Sequence, residues 1–272
     1  STGSVIEGNT VTLSGLSGIH IQDAWASVVR DNQVSRNQGS GVMLVRQAPP
    51  ESLTAELALV ERNFCESNQA AGIYTRGGGH IRMQYNTCRA NAMHGVAVES
   101  SYITLTANSV ISNTLTGLRL YDLDPYTNQP ITSVVAHGNT LAGNGARGLQ
   151  SEMPGQVEAT GNWWGVNTPT LGNEVVGNVA FQPYMTLSAQ ALPAAIAIGG
   201  EAAQVGAHIG GGGYKVLDGT AVRLQTSAGA LESTGPLWTV GGQANTRLFS
   251  GSIAQWAVDS NAPADVCKRT EV

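Results

Sequence analysis

The chain has 272 residues, of which only 12% are charged and 34 are glycine, and its formal net charge is −5. That length can bury the core of one large domain or two ordinary ones, and the scattered basic residues exclude the electrostatic footprint of a nucleic-acid binder. The most apolar run, around Leu192 to Ile198, is broken by Pro193 and too short to span a bilayer. The chain begins without methionine or a signal-like segment, as a mature, processed or excised polypeptide would.

From the N-terminus, asparagines recur at Asn9, Asn32, Asn63, Asn86, Asn108, Asn139 and Asn162, with gaps of 23, 31, 23, 22, 31 and 23 residues. Five residues further on lies a second column, Asn37, Asn68, Asn91, Asn113 and Asn144, and a third is glycine: Gly18, Gly41, Gly72, Gly95, Gly117 and Gly148. Such a unit cannot bury its own apolar face, so its copies must stack. Alternation after each glycine places Ile19, Val42, Ile73, Val96, Leu118 and Leu149 in one inward column and Ile21, Leu44, Thr75, Val98, Leu120 and Ser151 in the next. The asparagine amides are expected to hydrogen-bond between identical turns, and asparagine and glycine to supply the left-handed backbone that the bends need. Over about residues 5–185 this pattern resembles the right-handed parallel β-helix repeat family. The resemblance implies an all-β fold of seven rungs at roughly 4.8 Å each, a column about 34 Å tall.

Cys65 and Cys88 each follow a ladder asparagine by two residues, a column otherwise filled by Val11, Val34, Val110 and Leu141. Adjacent rungs bring Cα atoms to about 4.8 Å, within disulfide range, and buried thiols fit the column equally well. The column offers too few ligands for a metal, no cofactor motif is present, and with Cys267 as the third cysteine one thiol is left over in any pairing.

Two rungs carry insertions after the same strand, RQAPPESLTAEL at 46–57 and YDLDPYTNQPI at 121–131. They project from one edge of the column about three rungs, or roughly 14 Å, apart. The groove between them is expected to present Tyr74, Arg76, Glu99, Arg119 and Tyr121 as a binding surface. A catalytic reading would draw on Glu99, Arg119, Tyr121, Asp122 and Asp124; the plainer alternative is a solvated face with Arg76 and Glu99 as a cross-strand ion pair. YDLDPY resembles the Tyr-x-x-Asp-Pro-His signature of alginate epimerases, with Tyr126 where the signature has histidine. The resemblance implies a polysaccharide lyase or epimerase, in which a cation neutralises the uronate carboxyl group and a base removes the C5 proton. The five histidines occupy unrelated positions and form no catalytic motif.

GNWWGVNTPT at 161–170 puts Trp163 and Trp164 directly after ladder residue Asn162, as a plug over the end of the core or as a sugar-stacking platform. It resembles the segment with which bacterial and archaeal cell-surface β-helix proteins close their last rung, which implies the plug. After Pro183 the asparagine columns stop, and Leu187 to Ala195 reads as a linker. The rest alternates apolar and polar residues between turns, as in a small β-sandwich. DGTAVRLQTSAGALE and ANTRLFSGSIAQWAV resemble the Ig-like modules of invasin-type surface proteins over about residues 195–262.

The expected organisation is a parallel β-helix over 1–186 and a linker plus Ig-like β-sandwich over 187–272. These features imply a non-catalytic extracellular or cell-surface protein that self-associates, or binds other surface proteins, in adhesion or in a fibre or layer, with strand exchange through the termini. The alternative is a polysaccharide lyase, epimerase or glycan-binding module using the groove.

Overall fold

The computed structural model of the protein describes residues 3–23, 26–47, 58–194, 200–226, 230–233, 235–249 and 256–258. The first rung shows the construction: Val5–Glu7, Thr10–Thr12 and Ile19–Gln22 are three short strands lying on three different faces. Each pairs in parallel with its counterpart one rung on. Val5–Glu7 meets Val28–Arg30, Thr10–Thr12 meets Gln33–Ser35, and Ile19–Gln22 meets Val42–Gln47. In the third and fourth rungs two faces merge, because Ile73–Gln84 and Val96–Thr106 run through the corner as single strands, their register slipping once between Glu99 and Ser101. The predicted inward columns are buried, and Val175 extends the first of them beyond Leu149. Among the described residues there is no helix, and so none long and apolar enough to cross a membrane.

Asparagine ladders line two of the turns along most of the column. Asn63 Nδ2 donates to Asn86 Oδ1 at 3.0 Å, Asn86 Nδ2 to Asn108 Oδ1 at 2.9 Å and Asn108 Nδ2 to Asn139 Oδ1 at 2.9 Å. The backbone N–H of each donates to the same oxygen, and Nδ2 also reaches a carbonyl one rung back, as from Asn86 to Val60 at 2.8 Å. One buried side chain thereby satisfies donors that the bend would leave unpaired.

The left-handed residue is not the asparagine, contrary to expectation, but the residue before it: Asp31 (φ 55°), Arg62 (51°), Tyr85 (57°) and Ala107 (52°). The ladder fixes each asparagine side chain inward, so the preceding residue takes up the bend, and at 31, 62 and 85 its side chain is exposed and free to vary. A left-handed L-residue costs about 1–2 kcal/mol, which ladder bonds worth about 0.5–1.5 kcal/mol each offset. The glycine column has a different cause: a Cβ at Gly72 would stand 2.7 Å from the Gly95 carbonyl and 2.9 Å from Asn91 Nδ2.

Cys65 and Cys88 are register partners on neighbouring strands, fully buried, and both are free thiols. The neighbouring Cys65 thiol and burial together push the Cys88 thiol well above its ordinary range.

Parallel pairing ends with Val175–Val176 and Val179–Ala180. From Thr186 the pairing is antiparallel: Thr186–Leu192 binds Ala203–Gly211, which binds Gln243–Phe249, which binds Ala230–Leu231. The expected linker from Leu187 is therefore a strand. Its alternation buries Leu187 and Ala191 and ties it to the sheet. Two further pairings join Ala221–Val222 to Leu237–Trp238 and Leu224–Thr226 to Trp256–Val258.

The two tryptophans divide between the halves. Trp164 stands in the inward column of Cys65 and Cys88, buried in the β-helix core and edge-on to Phe181 at 6.3 Å. Trp163, opposite Thr140 in register, is buried with Met185, Leu187 and Ile209 in the core of the antiparallel half. Neither ring is an exposed platform, at 4% and 3% exposure. Cys267 and the segment 263–272 expected to exchange between subunits lie outside the described residues.

Candidate functional site

Alternation on the first face sends every second side chain outward, and the in-register rungs line them up. Met43, Tyr74, Ala97, Arg119 and Gln150 form one outward column, with Val45, Arg76 and Glu99 beside it. Tyr121 continues the face, its N–H donating to the Val98 carbonyl at 3.0 Å. The five residues expected in the binding groove, Tyr74, Arg76, Glu99, Arg119 and Tyr121, are thus brought together on three adjacent rungs.

Each arginine along the groove has a carboxylate partner on a neighbouring rung. Arg46 pairs with Asp23 at 2.6 Å, Arg76 with Glu99 at 3.3 Å and Arg119 with Glu152 at 2.5 Å. The Arg119 guanidinium carbon also lies 4.8 Å from the Tyr121 ring centre. Burial first, and the adjacent Glu99 carboxylate second, hold the Tyr74 phenol above its usual range, so it remains a neutral donor. His94 is shifted the other way, by burial and by the positive charge of Arg119, and its Nδ1 accepts Thr116 N–H at 3.3 Å.

The second insertion folds down over the groove. Asp124, expected as a catalytic candidate, is instead the fastening of the loop and is buried. Its Oδ2 accepts Gly78 N–H at 3.0 Å, and its Oδ1 accepts the N–H groups of Tyr126 and Thr127 at 2.8 and 3.1 Å. A carboxylate so engaged by backbone donors is committed to holding structure. Asp122 is exposed on the loop, and Ile131, wholly buried, anchors the return.

This fastening lays Tyr126 flat on Gly77, where a Cβ would collide with the ring. The guanidinium carbons of Arg46 and Arg76 lie 5.3 and 5.7 Å from its centre, so two cations approach the one ring. In the sequence Tyr126 stands out only as a departure from a motif and His94 as one of five unrelated histidines, while no motif marks Arg46 or Glu152 as a groove residue. Column arithmetic could have found Glu152, two residues beyond Gln150. The run GGGH at 77–80 marked the backbone that had to lie bare beneath a ring. Residues 48–57 of the first insertion, the expected opposite wall, lie outside the described residues. Among the described residues no group of three or more histidine, cysteine, aspartate or glutamate side chains is arranged to hold a metal ion.

The family model described as the right handed beta helix region matches residues 51–163. Up to about Ala180 the chain folds as a right-handed parallel β-helix. Among solved structures, the periplasmic alginate epimerase AlgG matches at 26% identity and a TM-score of 0.50, over 57% of this chain and 38% of that one. A double mutant of the same epimerase matches at 17% identity and a TM-score of 0.52, over 68% of this chain and 43% of that one. The β-helix described here therefore spans well under half the length of the epimerase. No match was found among curated proteins.

Proposed function

We propose that this protein binds an acidic polysaccharide along the groove, in an extracellular or periplasmic setting. The observation that carries the reading is Tyr126, held by Asp124 over Gly77 with Arg46 and Arg76 near its ring, beside a face carrying Tyr74, Glu99, Arg119 and Tyr121. Arginines for carboxylates, carboxylates for hydroxyls and aromatic surface for sugar rings recur there from rung to rung, about 4.8 Å apart. The likeness to an alginate epimerase supports an acidic chain over a neutral one.

A second reading, proton removal at C5 in the manner of an epimerase or lyase, is favoured by the placement of YDLDPY at the groove. In it Arg76 or Arg119 would neutralise the uronate carboxyl group, and the phenol of Tyr126 would occupy the position of the base. The adhesion or assembly reading, drawn from the repeat architecture, the closing segment and the resemblance of about residues 195–262 to Ig-like modules, has less support than a polysaccharide ligand.

Affinity electrophoresis through polymannuronate, polygalacturonate and a neutral glucan tests binding. Retardation by a polyuronate alone, reduced about tenfold or more in Arg76→Ala and Arg119→Ala, is the expected result. Passage unretarded through both polyuronates would remove the proposal. Deuterium uptake at C5 in heavy water, or a rise in ultraviolet absorbance from an unsaturated product, would add turnover to binding.

A further inference from the structure

The asparagine ladder of the short face ends one rung earlier than its neighbour. At its last complete step Ser112 N–H donates to the Ala142 carbonyl at 3.3 Å, and Asn113 N–H donates to Asn144 Oδ1 at 3.0 Å. The next asparagine, Asn167, does not continue the stack. It is diverted to the antiparallel sheet, where its Oδ1 accepts Leu187 N–H at 2.6 Å and its Nδ2 donates to the Leu187 carbonyl at 2.9 Å. Gly143 and Asn144 therefore keep two consecutive N–H groups with no acceptor among the described residues.

Both residues line a cavity of about 370 Å³ between the last rungs and the antiparallel half. That is the size of a small-molecule site, for which about 300–1,000 Å³ is typical. One side of it is apolar, formed by Ile111, Leu187 and Val222. Arg147 also lines it, and the carboxylate in the lining, Glu174, is occupied in accepting Thr170 N–H at 2.9 Å. Arg147 uses Nη1 on the Ala146 carbonyl at 2.8 Å, and its other N–H groups have no partner among the described residues. Consecutive backbone donors around a left-handed residue, here Gly143 at φ 64°, form a concavity suited to an anion.

We propose that this cavity is a second binding site, distinct from the groove, for the carboxylate of a small ligand with an apolar flank. The carboxylate accepts from Gly143 N–H, Asn144 N–H and Arg147, while its body lies against Ile111, Leu187 and Val222. A monosaccharide uronate and a small aromatic acid share this chemistry. The inference does not rest on the polysaccharide reading.

The test is titration of the full chain with glucuronate and with benzoate, each beside its uncharged counterpart, glucose and benzamide, by calorimetry and tryptophan fluorescence. At least one carboxylate should bind saturably and its counterpart should not, and which one binds identifies the source. Arg147→Ala should weaken binding about tenfold or more. Ala142→Leu, or Val222→Phe if that variant does not fold, should abolish it by filling the cavity. Failure of both carboxylates to bind at any soluble concentration overturns the proposal. So does full-strength binding in folded Arg147→Ala or in a folded cavity-filled variant.

Discussion

Tyr214 of the antiparallel half lies across Gly161 of the last rung, so closely that a Cβ there would run into its ring. The same ring covers Gly138 one rung back and stacks on His137 at 6.1 Å between ring centres. Earlier rungs carry Asp31, Arg62, Tyr85 and Ala107 at this left-handed position. Glycine occupies it in the last two rungs because another part of the chain packs there.

Gly161→Ala should therefore cost more than the left-handed backbone alone demands. About 1–2 kcal/mol is expected for the strained φ and about 1–3 kcal/mol more for the clash. Gly8, also left-handed (φ 65°) but with open space around it, is the control, and Gly8→Ala should show only the first cost. Chemical denaturation of both variants measures the difference. Equal losses would mean that Tyr214 does not dock as described.

The ladder makes the asparagines unequal to ordinary buried polar residues. Asn86→Leu removes the acceptor for the N–H and Nδ2 of Asn63, both buried, and a donor to Asn108. Asn63 Nδ2 keeps the Val29 and Glu61 carbonyls as acceptors, so the unpaired Asn63 N–H sets the expected loss at about 1–3 kcal/mol. Tyr85→Ala, at the exposed neighbouring position, should stay within about 0.5 kcal/mol. Comparable effects in the two variants would show that the amide stack is not the main support of the turn.

Trp163 and Trp164 should report on different halves of the molecule. Either alanine substitution removes a large buried ring, worth about 3–5 kcal/mol in a packed core. Under hydrogen exchange, Trp164→Ala should expose the amides of the last rungs around Leu149 and Val157. Trp163→Ala should expose those of Thr186–Leu192 and Ala203–Gly211 while the earlier rungs stay protected. Identical exchange patterns would contradict the division of the two rings between two cores.

His94 adds a pH dependence with a definite sign. Its folded pKa lies below its unfolded value of about 6.5, so below that pH the unfolded chain binds more protons than the folded one. Stability should accordingly fall as the solution is acidified through and below about pH 6.5, and His94→Gln should flatten that fall. Urea midpoints at pH 7.5 and 5.5 for the two proteins check it. A steeper decline in the variant would mean that the histidine is stabilised by its proton.

What the sequence determined by itself was the periodic part. Inward columns such as Ile73, Val96 and Leu118, the asparagine ladders, and the meeting of Tyr74, Arg76, Glu99 and Arg119 follow from a repeat in which position within the rung dictates position in space. Stacking carries each column forward without further information. Tertiary structure decided whatever breaks the repeat. Asp124 could be recognised as a fastening only once Gly78 lay beneath it, and Tyr126 as a ring approached by two cations only once Arg46 and Arg76 were placed on adjacent rungs. The roles of Trp163 and Trp164, adjacent in sequence, separated only when a second sheet came to cover one side of the column. Asn167, five residues beyond Asn162, serves Leu187 of that sheet and not a ladder, since a side-chain amide serves whichever backbone lies within reach.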